Sequence, residues 1–297
     1  MHPALELLLK AAIVPVLAAL TAAGIGFGLS RLLLRGNRPN LTLPFTIAAG
    51  FIGADISVRG WHGFWPGDIS YRISPLVGAA LILGVLESLA TGRLKDTPRR
   101  IVRSVLGLAG GFAVAWFVGT PVILEGTPLV LVLIGATLLI ALQWLVLGEQ
   151  STSKAGGTLT LFSLAAVAFG GAAVLFLLRN AALAEISGAF GLALTVATIL
   201  RWKWPKLGDA PALGAPAAVA FVLMPLVAAM LVFLLPERRI PAACVLAAAP
   251  LLTLVHRIKP LRRLPGPVTA VVQLGLIGLV LGGTALALHL TEESAPC

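Results

Sequence analysis

Asp55 and Arg59 stand four residues apart in Gly53-Ala-Asp-Ile-Ser-Val-Arg59, the spacing at which a carboxylate meets a following cation on one helix face. The aromatic run Trp61-His62-Gly63-Phe64-Trp65, closed by Pro66-Gly67, follows directly. An ion pair covered by rings can hold a polar group away from water, where the pair acts more strongly than in bulk solvent, and aromatic rings also fill pockets on partners. Asp55, Arg59, Trp61, His62 and Trp65 are therefore the expected substrate- or partner-binding residues. The plainer alternative is that Asp55 only neutralises Arg59 and that the rings anchor the connection.

The remaining reactive side chains are scattered. His2, His62 and His289 with Asp55 and Asp68 fall on distant connections, without the convergent spacing zinc requires or a pocket for an axial haem histidine. No metal site and no cofactor is expected. Glu87 is within reach of Arg93 and Glu185 of Arg179, both read as interfacial pairs. Cys244 and Cys297 are the only cysteines and are read as separate rather than bridged. Asn40-Leu41-Thr42 fits a glycosylation sequon by chance. The chain carries no phosphate-binding loop, dinucleotide fingerprint, zinc-protease helix or serine elbow. A non-enzyme is expected, because a nucleophile, acid–base pair or metal in mutual reach is missing.

The elements that position these residues are apolar segments long enough to cross a bilayer core of roughly 30 Å, which takes about 20 helical residues. Ten are read: Ala11 to Ser30, Leu41 to Val58, Ile73 to Leu89, Ile101 to Val118, Leu129 to Leu147, Thr158 to Leu178, Ala181 to Leu200, Ala215 to Leu235, Ile240 to Val255 and Val268 to Leu290. Hydrophobic residues make up 58% of the 297. The fold class is all-α, a polytopic transmembrane helical bundle of about ten spans. Hydrophilic breaks reach only 14 residues, at Arg59 to Arg72 and Arg201 to Gly214, so residues 1–297 form a single integral membrane domain.

Charge sets orientation. Of 22 basic residues, 16 fall in the first, third, fifth, seventh and ninth connections, which the positive-inside rule places in the cytoplasm with both termini outside. A multi-pass protein of a bacterial-type cytoplasmic membrane is expected. Trp61, Trp65, Tyr71 and Trp116 near one face and Trp144, Trp202 and Trp204 near the other read as interfacial anchors. The net charge of +10 lies in short loops, so it points to membrane lipids and topology rather than nucleic acid.

Small residues four apart, at Gly24/Gly28, Gly107/Gly111 and Gly278/Gly282 with Gly275, read as helix-packing faces. Pro15, Pro44, Pro225 and Pro250 lie inside spans and read as kinks. Trp65-Pro66 recurs as Trp204-Pro205 and Arg99-Arg100-Ile101 as Arg238-Arg239-Ile240, both 139 residues on. That offset suggests a weak five-plus-five repeat, with halves 1–147 and 158–290 inverted because each has an odd number of crossings. These features favour a permease or carrier for a small apolar or amphipathic solute. The alternative is a non-catalytic structural or accessory subunit with membrane-protein partners, which would account for smooth spans without a charged pathway.

Overall fold

The computed structural model describes residues 9–33, 40–63, 68–91, 94, 96–119, 127–151, 156–208, 210–231, 240–258 and 264–293. Their apolar segments wind into helices throughout, and among the described residues there is no strand. A π-helical turn, Leu9–Ile13, leads into α1, Val14–Leu33. α2 is Thr42–Arg59, and a 3-10 turn at Ile69–Arg72 opens α3, Ile73–Thr91. α4 is Asp96–Gly119, α5 Thr127–Ser151, α6 Gly156–Leu177 and α7 Ala181–Lys203. Short 3-10 turns at Pro205–Gly208 and Pro211–Leu213 precede α8, Gly214–Leu231. α9 begins as Ile240–Ala248 and continues as a 3-10 segment, Ala249–Arg257, and α10 is Gly266–Glu293.

Eight of these helices are long and apolar enough to cross a membrane. α2 falls short on hydropathy because it carries Asp55 and Arg59, yet its 18 residues span about 27 Å at 1.5 Å each. α9 falls short in length, but nine α-helical and nine 3-10 residues together reach about 31 Å. Ten crossings result, as the sequence pattern predicts. Odd-numbered connections emerge on one face, here the basic face, and even-numbered connections on the opposite face.

α8 is the central helix, with 89% of its crossing buried, whereas α10 has 22% and α1 33%. Lipid tails are as apolar as leucine, so close backbone approach, not hydrophobic exclusion, joins such helices. Glycines supply the approach. A Cβ at Gly84 of α3 would lie 2.6 Å from the Ala212 carbonyl oxygen, and one at Gly214 of α8 2.7 Å from the Gly148 nitrogen of α5. Gly50 of α2 sits against Ala193 of α7. The main pairings are α1 with α2, α6 with α7 and α4 with α5, while α2 crosses α7, α3 and α5 cross α8, and α10 lies on α6.

Two expectations are corrected here. Gly107 and Gly111 do pack, on Ala141 and Thr137 of α5, but among the described residues no atom of another helix lies within 4 Å of a Cβ placed at Gly24, Gly28, Gly275, Gly278 or Gly282. Those stripes of α1 and α10 face outward instead. The prolines also differ in effect: Pro44 stands in the first turn of α2 and costs it no hydrogen bond, Pro15 follows the π-helical turn, and α8 runs on through Pro225. Pro250, like Pro15, stands second in its segment, just past a change of winding, and it alone does so part-way along a crossing.

Candidate functional site

The residues expected to act are brought together in part. At the opposite-face end of α2, Arg59 pairs with Asp55 one turn back, and the second Asp55 oxygen accepts the Ser74 hydroxyl of α3. Arg59 also lies over the Tyr71 ring, 4.6 Å from its centroid, and His62 stacks on the same residue at 3.7 Å. The backbone turns out of α2 through Gly60 at φ +84°, which a side chain would strain. Asp55, Arg59 and His62 thus form one cluster, to which Tyr71 and Ser74 belong although their sequence context gave no sign of it. Trp61 is 57% exposed, so it does not cover the pair. Trp65 lies outside the described residues.

A second, more deeply buried pair lies toward the basic face. Arg103 of α4 donates from Nε to Glu87 Oε1 of α3 at 2.5 Å, and the Trp144 indole of α5 donates to Glu87 Oε2 at 2.6 Å. Glu87 is 0% and Arg103 2% exposed. The interfacial role of Trp144 is therefore corrected, and Glu87 takes Arg103 as a partner, Arg93 lying outside the described residues: carboxylate, guanidinium and indole bind three helices to one another. Arg103 Nη2 has no hydrogen-bond partner among the described residues. Trp202 and Trp204 do lie exposed, as anchors would. Glu149 holds Arg100 at 2.8 Å and Arg257 at 3.5 Å, joining the basic-face ends of α4, α5 and α9.

The third feature is the break in α9. Pro250 has no N–H, so neither an α-helical bond to Leu246 nor a 3-10 bond to Ala247 can form from it. Gln143 of α5 fills the gap, donating from Nε2 to the Ala247 oxygen at 2.5 Å. Gln273 of α10 donates to the Leu252 oxygen at 3.3 Å. Gln150, two turns along α5 from Gln143, accepts from Thr253 of the 3-10 segment at 3.0 Å and from Thr160 of α6 at 3.3 Å. Runs of 3-10 winding beyond three or four residues are uncommon and mark hinges or strain. Here nine residues are wound so, held by neighbouring side chains as a broken membrane helix requires.

Gln143, Gln150 and Gln273 are the only glutamines in the chain, and all three converge on this break. Each keeps one polar atom in reserve: Gln143 Oε1, Gln150 Nε2 and Gln273 Oε1, with Ser163 Oγ of α6, are buried with no hydrogen-bond partner among the described residues. A buried group left so costs about 1–3 kcal/mol. Their carbonyl partners accept only, which fixes the amide ends of Gln143 and Gln273 and leaves their oxygens turned away as acceptors. An apolar groove of about 590 Å³ opens on the lipid-facing side of the same region, between α6, α7 and α10 and lined by Phe162, Ile199, Trp202, Gly266, Pro267 and Ala270. Gln273 follows Ala270 by three residues, the spacing of neighbours on one helix face.

Among the described residues no three histidines, cysteines or carboxylates gather as a metal site, and Cys244 is a free, exposed thiol. Set against known proteins, the chain matches no family model and no curated sequence.

Proposed function

We propose that this chain is a non-catalytic permease or carrier for a small apolar or amphipathic solute, set among the lipids of a bacterial-type cytoplasmic membrane with the basic face inside and both termini outside. One observation carries the reading: α9 breaks part-way across the membrane, and every glutamine of the chain gathers at the break. In carriers, discontinuous helices of this kind hold the solute because unwound backbone and polar side chains replace water there.

The repeat supports it. Advancing the first residues of α1 to α5 by 139 positions lands within five residues of the first residues of α6 to α10, and on them for α7 and α10. The packing supports it too, since α1 lies on α2 as α6 lies on α7, and the self-matching pairs α2/α7 and α3/α8 meet centrally. Halves 1–147 and 158–290 related in this way would rock against each other to open either face. Asp55, Arg59, Trp61, His62 and Trp65 serve in this reading as the contact for a polar group at the outer face.

Transbilayer movement of radiolabelled decyl glucoside in proteoliposomes tests the carrier. Faster movement than in empty vesicles is expected; equal rates reject it. In intact cells Cys297 should react with an impermeant thiol reagent, and protection until the cells are permeabilised would reverse the orientation.

The second reading, a structural or accessory subunit, is favoured by α10, whose Gly275, Gly278 and Gly282 face is open to a neighbour. Recovery of the chain only in a stoichiometric complex, with no movement of solute, would establish that role instead.

A further inference from the structure

We propose that the seam between α5, α6, α9 and α10 binds the uncharged, hydrogen-bonding head group of an amphiphile, whose apolar part lies in the groove between α6, α7 and α10. The inference rests on the carrier reading for its purpose but on separate observations for its chemistry.

Charge is decided by what faces the seam. Gln143 Oε1 and Gln273 Oε1 are acceptors without donors, so a carboxylate or phosphate would meet oxygen against oxygen there. A cation meets the opposite difficulty. Arg201, 2% exposed, donates to the Ser151 carbonyl at 2.9 Å, one residue beyond Gln150. The carboxylates nearby are engaged, Glu87 by Arg103 and Trp144, Glu149 by Arg100 and Arg257. An ammonium group would thus enter beside the Arg201 guanidinium with no carboxylate among the described residues left to balance it. A head that both donates and accepts, a hydroxyl or an amide, matches two fixed acceptors together with Gln150 Nε2 and Ser163 Oγ.

The position suits an amphiphile arriving from the leaflet on the basic face. Gln273 lies seven residues into α10 and Ser163 seven into α6, about 10 Å from those helix starts. The groove lines the same ends of α6 and α10 and has an almost wholly apolar wall. In the conformation described, the four orphaned groups are buried, so the head enters when the 3-10 half of α9 moves off Gln150 and Gln273.

Photolabelling of the full chain in lipid nanodiscs tests this with three probes that share chain length and diazirine position: a decyl glucoside, a decanoate and a decylamine. The glucoside is expected to label Phe162, Trp202 or Ala270 and to be competed by unlabelled decyl glucoside. Charged probes should label there more weakly by roughly tenfold, the equivalent of about 1.4 kcal/mol. Ser163→Ala and Gln273→Leu should each weaken glucoside labelling severalfold. Ser163→Ala removes only a hydroxyl without a partner among the described residues, so it keeps the fold intact and decides the matter if Gln273→Leu does not fold.

Equal labelling by a charged probe, or labelling by the glucoside that Ser163→Ala leaves unchanged, overturns the proposal. Labelling as expected without transbilayer movement rejects the carrier and keeps the site. Movement that persists at full rate in Ser163→Ala rejects the site and keeps the carrier.

Discussion

The two buried ion pairs sit at opposite ends of neighbouring helices and do different mechanical work. Asp55 and Arg59 belong to one helix, so α2 carries its own neutralised pair wherever it goes, and among the described residues Ser74 and Tyr71 tie that pair to its surroundings. Glu87 and Arg103 belong to different helices, with Trp144 from a third. Relative movement of α3, α4 and α5 must separate these charges inside the bundle. A pair within one element tolerates motion; a pair between elements forbids it. The basic-face end of the first half is accordingly locked, while the change of winding lies in α9 of the second half.

The lock can be broken directly. Glu87→Gln leaves the Arg103 guanidinium buried without its counter-charge, and loss of about 3–5 kcal/mol is expected for such a change. Thermal unfolding of the purified chain should show it as the largest effect of these substitutions. The double variant Glu87→Met with Arg103→Met should recover much of the loss, since paired apolar replacements of buried ion pairs are often neutral. A double variant as unstable as the single one would show that the Trp144 bond, not charge pairing, holds the helices.

This lock was only half legible in the sequence. Glu87 and Arg103 lie 16 residues apart across a helix turn, and nothing local distinguishes Arg103 from Arg93, Arg99 or Arg100; the choice is made by how α3 meets α4. Helix existence, in contrast, follows from hydropathy alone: Ile73 and Ala181 are the first residues of α3 and α7 both as read and as folded. At Pro250 the sequence reads only as a kink, because a proline inside an apolar run has the same composition whether it bends a helix or ends its α-winding. The signal that would have found it was the glutamines. A search for charge passes over carboxamides, yet Gln143 and Gln273 lie inside apolar segments and Gln150 stands seven residues after Gln143, marking a polar face that lipid would not solvate.

Breaking the other pair should cost less. Asp55→Asn keeps an acceptor for Ser74 and Arg59, and Arg59 retains the Tyr71 ring and a position in the last turn of α2. A loss of about 1–3 kcal/mol is expected, measured by the same unfolding experiment. An effect equal to that of Glu87→Gln would mean that both ends are locked and would erase the mechanical distinction. Smaller still is Tyr71→Leu, which removes the cation–π contact and the His62 stack; about 0.5–2 kcal/mol is the range for such contacts. Cysteine pairs sharpen the comparison without perturbing charge. A disulfide engineered between α3 and α4 at the basic-face end should leave solute movement intact, and one between the 3-10 half of α9 and α10 should stop it.

The nine-residue 3-10 segment has a further consequence, one of length and angle. A 3-10 helix rises about 2.0 Å and turns about 120° per residue, against 1.5 Å and 100° for an α-helix. Rewinding Ala249–Arg257 as α-helix would shorten it by about 4.5 Å and rotate its end by about half a turn relative to its start. Thr253 would leave Gln150, and Arg257 would be drawn inward, away from Glu149. Such a rewinding would turn α9 as a screw whose stroke lies in its own thread, carrying a side chain across the bundle while the helices packed on it stand still.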